Sequence, residues 1–330
     1  QQWQWQFRYP GADGQLGFAD VSHVSESNPF GVNPEDPAGQ DDVVVNDPNM
    51  HLAVNQPVHA LLRSNDVLHN YTVPQFRVKM DLVPGLVSYL WFDPTKEGTY
   101  DILCEELCGI GHFIMRGSVK VESQAEFDAW ISSQPTFAET QAMAAPNIAA
   151  GQAAYAICAT CHGAQGEGNS ALNGPKLAGQ DAWYLERQLK HFKEGVRGGE
   201  GDTIGSAMVP MAMTLADDNA IRNVAAYIET FTDTPALTTI AGDIENGGDI
   251  YDRNCAACHL DDGAGTWYTD APALAGMSDW YFVRQISNFG AGIRGLHPND
   301  HFGKQMVAMA TAMDSAEEIN DVAAYINTLR

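Results

Sequence analysis

Cys158-Ala-Thr-Cys-His162 recurs 97 positions later as Cys255-Ala-Ala-Cys-His259. In a Cys-x-x-Cys-His run two thiols can add across the vinyl groups of a porphyrin while the adjacent histidine reaches the iron, so each run reads as a c-type haem attachment site. Zinc or a redox cysteine pair competes for a single such run, and the repetition weighs against both. The register also extends outward from the motifs. Pro175, Leu177, Gly179, Trp183, Tyr184, Arg187, Gln188, Phe192, Gly195 and Arg197 all recur at an offset of 97. One extra residue enters between Gly198 and Gly205. Beyond it Gly205, Met208, Met211 and Val224-Ala-Ala-Tyr-Ile228 return at an offset of 98 as Gly303, Met306, Met309 and Val322-Ala-Ala-Tyr-Ile326. Chance would not reproduce both a haem motif and a distant helix in register, so 151–235 and 236–330 read as two copies of one domain.

Each copy reads as all-α. Helices are expected over 151–157, 182–194 and 217–231, the last with Ile221, Val224, Ala225 and Ile228 at helical spacing. Gly- and Pro-rich stretches at 163–174 and 196–205 read as loops. Residues 135–150, rich in Ala, Gln and Thr, read as a linker. The first 134 residues differ in character. Short β-branched or aromatic runs at 43–45, 51–62, 71–80, 87–92, 100–103 and 117–122, separated by turn residues, give an all-β sandwich pattern. A short closing helix is expected over 127–131. The Pro- and Asp-rich stretch 31–48 reads as a solvated surface loop, with an ion site as the lesser reading.

The remaining two of the six cysteines lie in Cys104-Glu-Glu-Leu-Cys108-Gly-Ile-Gly-His112-Phe-Ile-Met115. Thiolate, thioether and imidazole on one loop favour copper. A zinc site of two cysteines and two histidines is the alternative, but it leaves Met115 unexplained. His69, in Ser64-Asn-Asp-Val-Leu-His69-Asn, offers a second histidine from a distant strand. These residues, with Lys79-Met-Asp81, Pro84-Gly85 and the opening Gln2-Trp-Gln-Trp-Gln-Phe-Arg-Tyr9, resemble the periplasmic domain of cytochrome c oxidase subunit II. The resemblance covers nearly all of residues 1–134 and implies a cupredoxin-like sandwich with the binuclear copper centre CuA. It implies that Cys104 and Cys108 bridge both coppers, that His69 and Met115 hold one, and that His112 with the Glu106 carbonyl holds the other. Glu106 and Gly109 favour the oxidase over nitrous oxide reductase. The same resemblance implies a magnesium contact for the Glu106 carboxylate at the subunit I interface. It also matches Trp3 to the aromatic residue where electrons arrive from cytochrome c, ordinary packing being the alternative for that ring.

The repeats resemble class I cytochromes c of the dihaem c4 kind, including their Leu-Ala-Gly and Gln-Leu-x-x-Phe segments. Methionine opposite histidine is the common axial pair in such haems. In that family the ligand lies seven residues before the leucine opening the last helix. Leu215 and Met313 hold that position here, which selects Met208 and Met306, with Met211 and Met309 as the runner-up pair. Leu260 departs from the family, where glycine commonly follows the haem histidine. His23, His51, His59, His191, His297 and His301 take no metal role in this reading.

Composition sets the outer limits. The chain has 330 residues, 45% hydrophobic, enough for several cored domains. No apolar stretch approaches a membrane span, and Gln1 begins without a start methionine or signal peptide, which reads as a mature or trimmed piece. The net charge is −24, and residues 1–140, with 19 acidic against 7 basic side chains, carry half of it. Such a surface repels nucleic acid and attracts basic proteins. No disulfide is expected, since all six cysteines are taken by cofactor motifs. The whole implies an electron carrier on the periplasmic side of a bacterial cytoplasmic membrane, with two copper ions and two haem c per chain. Its expected partners are oxidase subunit I and, as donor, cytochrome c or a quinol–cytochrome c reductase. Membrane association would come through a hairpin before Trp3 or through partner subunits. Nothing in the chain resembles an oxygen-reducing site, which places that chemistry on another subunit. A freestanding periplasmic carrier and the CuA subunit of a nitric oxide reductase are the alternatives.

Overall fold

A computed structural model describes residues 1–143, 145–313 and 315–329. The chain divides into two compact units, Gln1–Ala144 and Ala145–Arg330. Nine strands build the first: β1 (Phe7–Tyr9), β2 (Val43–Val45), β3 (Asn49–Ala53), β4 (Val58–Leu62), β5 (His69–Val73), β6 (Val78–Leu82), β7 (Ser88–Phe92), β8 (Gly98–Leu103) and β9 (Arg116–Glu122). The main sheet runs β3-β9-β8-β5-β6, with β3 and β9 parallel and the other pairs antiparallel. Two-stranded ribbons β1-β2 and β4-β7 complete the sandwich. Alternation along β9 turns Val119 and Val121 inward and Lys120 out, and Tyr71, Val73 and Ile102 join the same core.

Two long apolar runs are each broken in the middle. The run 51–62 splits into β3 and β4, which belong to different sheets, with Asn55 in the left-handed region at φ 59°. The run 71–80 folds back on itself as the β5-β6 hairpin. Pro74 lacks the N–H the ladder needs, a short 3-10 turn follows, and Arg77 turns at φ 57°. The stretch 31–48 is more firmly tied than a solvated loop. Arg8 forms an ion pair with the buried Asp42, whose carboxylate also accepts the Gly17 N–H at 3.0 Å. Asp36 is likewise spent on the N–H groups of Phe18 and Ala38.

Ser123 and Glu126 form a capping box at the start of α1 (Gln124–Ile131), and Thr136 and Glu139 do the same for α2 (Phe137–Gln141). The second helix lies in the stretch read as linker. Its Phe137 is buried, and the Phe137 N–H donates to the Asp42 carbonyl at 2.7 Å.

In the second unit the first repeat folds as α3 (Ile148–His162), α4 (Ala182–Lys193), α5 (Met208–Met213) and α6 (Asp218–Glu229). The second folds as α7 (Ile244–Asn254), α8 (Ala256–His259), α9 (Asp279–Gly290), α10 (His301–Ala310) and α11 (Ala316–Ile326). First and last helices cross tightly in each repeat: a Cβ at Gly151 or Gly247 would strike the backbone carbonyl of Asn223 or Asp321. Expected helices are present, and α3 continues through the haem motif. The helix before Leu215 was not expected. It is short in the first repeat because Pro210 cannot donate to the preceding turn, leaving a 3-10 turn at Gly205–Ala207; Ala308 stands at the matching place in α10, which runs unbroken. The two repeats meet through matched contacts. Arg187 donates to Asp270 and Arg284 donates to Asn173, each acceptor being the other's counterpart in the repeat.

Leu260 keeps the loop shape that glycine gives the first repeat, at a cost. Gly163 has φ 83°, ψ 160°, and Leu260 is held at φ 65°, ψ 161°, a region nearly closed to residues with a Cβ. Tyr155 and Tyr251 donate to the carbonyls of Gly163 and Leu260 at 2.7 and 2.8 Å, which fixes both turns alike. Relief of this strain outweighs the added freedom of glycine in the unfolded chain, so Leu260→Gly should stabilise the second repeat by about 1 kcal/mol. Thermal denaturation of the haem-loaded protein checks this, and a lower midpoint would contradict it.

Candidate functional site

The loop from Cys104 to Met115 joins β8 to its neighbour β9, and the last ladder pair, Leu103 with Arg116, pins its two ends together. His69 opens β5, the strand on the other side of β8, so its ring meets the base of the loop. Cys104 Sγ lies 3.8 Å from Cys108 Sγ and 3.9 Å from His69 Nδ1. Cys108 Sγ lies 3.5 Å from His112 Nδ1 and 3.9 Å from Met115 Sδ. The Glu106 carbonyl oxygen is 3.3 Å from Cys104 Sγ, and the site is largely sealed, with Cys104, Cys108, His69 and Met115 all buried. Among the described residues His69, Cys104 and Cys108 are the cluster of three metal-binding side chains whose donor atoms all converge.

His69 presents Nδ1 to the thiols because Nε2 is taken by Asp66 Oδ1 at 2.8 Å. Asp66 in turn accepts the Gln2 backbone N–H at 2.6 Å and the Val67 N–H at 2.7 Å. Burial alone would raise the Cys104 thiol, yet His69 and the Asn70 backbone N–H bring it down to about 6. Cys108, buried beside that thiolate, is pushed up to about 12. The indole N–H of Trp3 and the side-chain amide of Gln2 both donate to the Cys108 carbonyl, at 2.9 and 2.7 Å. Trp3 is buried, and its ring lies against Gly111 so closely that a Cβ there would overlap it.

The donor set fits a copper pair better than zinc. Two thiols, two imidazoles, a thioether and a carbonyl outnumber the four ligands of one zinc ion, and the sulfur share is soft. The motif had named these residues; Asp66 and Gln2, which aim them, were quoted without a role.

In the second unit His162 ends α3 and His259 ends α8, both buried. Each donates Nδ1–H to a proline carbonyl, Pro175 at 2.7 Å and Pro272 at 2.8 Å, which leaves the Nε2 lone pair for a metal. Burial lowers both imidazoles, His259 to about 4, so the neutral ligand form is the one present near neutral pH. The repeat of Pro175 as Pro272 was visible in the sequence, but its purpose lay in the backbone oxygen. Cys158 and Cys161, like Cys255 and Cys258, lie in the same turns as these histidines, the placement that thioether attachment needs. Met208 opens α5 with Met211 one turn later, and both are half-buried, whereas Met213 is 58% exposed. In the second repeat Met306 packs on the core formed by Tyr251, Phe282, Ile286 and Val322. Met309, one turn on in α10, is also half-buried.

Residues 1–122 match the family model for the cytochrome c oxidase subunit II periplasmic domain, and residues 148–232 and 244–330 each match that for cytochrome c. The chain belongs to the cytochrome c family, and its first 122 residues match the subunit II periplasmic domain. It joins a cupredoxin-like subunit II domain to two helical cytochrome c domains, and its role is electron transfer. Residues over the first domain are 54% identical to an alternative cytochrome c oxidase subunit 2 of Bradyrhizobium diazoefficiens across 138 residues, 42% of this chain and 50% of that one. The chain thus spans about half the length of that oxidase relative. Cytochrome c4 of Azotobacter vinelandii is 32% identical over 197 residues, 57% of this chain and 91% of that protein. The crystal structure of reduced cytochrome c4 from Pseudomonas stutzeri superposes with a TM-score of 0.46 at 29% identity, over 55% of this chain and 98% of that one.

Asp66 holds no position in the donor set, but it fixes which nitrogen of His69 faces the thiols. Asp66→Asn should therefore weaken copper retention roughly 10–100-fold in chelator competition, the usual cost of losing such a partner. Unchanged affinity would show that Asp66 does not orient His69.

Proposed function

We propose that this protein is the electron-transfer subunit of a respiratory haem–copper oxidase, on the periplasmic side of the membrane. It would take electrons from cytochrome c or a quinol–cytochrome c reductase and deliver them to subunit I, where oxygen is reduced. The observation that carries this reading is the linked set of donors in which His69, Cys104 and Cys108 are mutually close, the Glu106 carbonyl reaches Cys104, and His112 and Met115 reach Cys108. When bound there, a copper pair supplies a one-electron carrier that needs little rearrangement between its oxidised and reduced forms, and the two haems supply two more. The chain's own part is to hold the donors in place before and after each transfer. Burial excludes water, Asp66 and the two proline carbonyls fix imidazole tautomers, and the pinned loop ends keep the sulfurs a constant distance apart.

Around the ligand loop Leu107 is 81% and Phe113 56% exposed, an apolar rim that suits a protein partner rather than solvent. The Glu106 carboxylate, left over when its carbonyl faces Cys104, is assigned to magnesium at the subunit I face. Trp3, bonded to the Cys108 carbonyl, offers a short path for electrons reaching the copper site from cytochrome c. Among the described residues no helix is long and apolar enough to cross a membrane, so attachment is assigned to a preceding hairpin or to partner subunits. Met208 and Met306 are assigned as axial ligands, supported by their place seven residues before Leu215 and Met313, the spacing of the cytochrome c4 kind, and by the inward packing of Met306.

In the intact oxidase complex, Cys104→Ser should leave both haems reducible by the donor while oxygen consumption and the mixed-valence copper resonance disappear. Oxygen consumption at the wild-type rate would refute the proposed path. For axial ligation, Met208→Ala should remove the first haem's share of the near-infrared thioether band and lower its potential. Met211→Ala should spare the band and, since that side chain is half-buried, cost about 1–2 kcal/mol of packing. The same contrast should hold for Met306 against Met309, and loss of the band with Met211 or Met309 would move the ligand one turn along.

A further inference from the structure

Each repeat carries a short turn between its haem histidine and the proline whose carbonyl fixes that histidine, at 169–174 in the first repeat and 266–271 in the second. The two backbones match. The end residues exchange N–H···O bonds in both, Asn169 with Gly174 at 2.7 and 3.0 Å and Thr266 with Ala271 at 2.8 and 3.1 Å. Asn173 and Asp270 take the same left-handed step, at φ 56° and 55°. The side chains differ: Ser170-Ala171-Leu172 stands in one repeat where the other has Trp267-Tyr268-Thr269.

That difference decides what covers the second cysteine of each haem motif. In the first repeat the turn passes so close that a Cβ at Gly174 would sit 2.0 Å from the Cys161 carbonyl oxygen. The second repeat has Ala271 there, so the chain must stand off far enough to admit a methyl group, and the Thr269 hydroxyl spans the gap by donating to the Cys258 carbonyl at 2.7 Å. Residues 169–173 are all exposed, Leu172 at 51%, and so is Cys161. Residues 266–270 are all half-buried, and so is Cys258. Trp267 and Tyr268 pack edge to face with ring centroids 5.7 Å apart. Arg187 holds the end of their turn through two bonds of 2.8 Å to Asp270.

A haem held by such a motif is bonded to the second cysteine at its thioether edge. Electrons cross most readily where nothing separates that edge from a partner, because tunnelling falls steeply with distance. Two aromatic side chains, each with roughly 150–250 Å² of surface to bury, are large enough to close one edge. We propose that Trp267 and Tyr268 wall off the thioether edge of the second haem, leaving the first haem as the one open to electron donors and acceptors outside the chain. This rests on the two-haem reading above and adds to it which haem exchanges electrons with the surroundings.

Access to each haem edge can be read without any electron transfer, by nuclear magnetic resonance of the oxidised, haem-loaded chain. A haem count comes first, and a count other than two would overturn the two-haem reading on which the proposal rests. The ring-methyl resonances of each haem are assigned through their through-space contacts with its own repeat, and a neutral gadolinium chelate is then added, which broadens whatever it can approach. The first haem's methyls should broaden more than the second's. Trp267→Ser combined with Tyr268→Ala, which gives the second repeat the side chains of the first, should abolish that difference. The reverse exchange, Ser170→Trp with Ala171→Tyr, falls on exposed residues and should protect the first haem; it reads the same effect should the first pair fail to load haem. Equal broadening of both haems in the wild-type chain, or a second haem as well protected without Trp267 and Tyr268 as with them, would overturn the proposal. So would a first haem that broadens unchanged after the reverse exchange.

Discussion

Three of the four imidazoles assigned to metal, His69, His162 and His259, are committed at the nitrogen that faces away from the site. His69 gives Nε2 to Asp66, His162 gives Nδ1 to the Pro175 carbonyl, and His259 gives Nδ1 to the Pro272 carbonyl. The rest of the architecture depends on this constraint, because a buried imidazole that could rotate or change tautomer would present a proton where a metal needs a lone pair. Each acceptor is fixed by a different device. Asp66 is held by two backbone N–H groups, and the proline carbonyls belong to loops closed by tight glycine turns.

Ligands close together in sequence were legible; the groups that aim them were not. The loop 104–115 and the two Cys-x-x-Cys-His runs carry their chemistry within a few residues, so spacing alone singled out the donors. Asp66 reaches His69 from three residues away, yet nothing in its spacing distinguishes it from a turn aspartate. The division of 51–62 between two sheets depends on which strands lie alongside, and side-chain pattern does not encode that. Pro74 and Pro210 were readable as breakers, but only the structure shows that one makes a hairpin and the other shortens a helix that its twin, α10, completes. Leu260 shows the reverse case. A departure from the glycine pattern left the turn intact, because Tyr251 and the helix it sits on impose the conformation on whatever residue is there.

Duplication gave the second unit an interface built from the same residues used twice. Arg187 reaches Asp270 of the other copy and Arg284 reaches Asn173, so matched contacts differ between the copies in one charged acceptor. The acidic excess, half of it in the first 140 residues, would attract a basic partner at long range, less so as salt rises.

The central claim is that three groups of donors account for all six cysteines. Elemental analysis combined with a pyridine haemochrome assay on the purified chain tests it most directly. Two copper ions and two covalently bound haems per chain are expected; zinc in place of copper, or a single haem, would contradict this assignment.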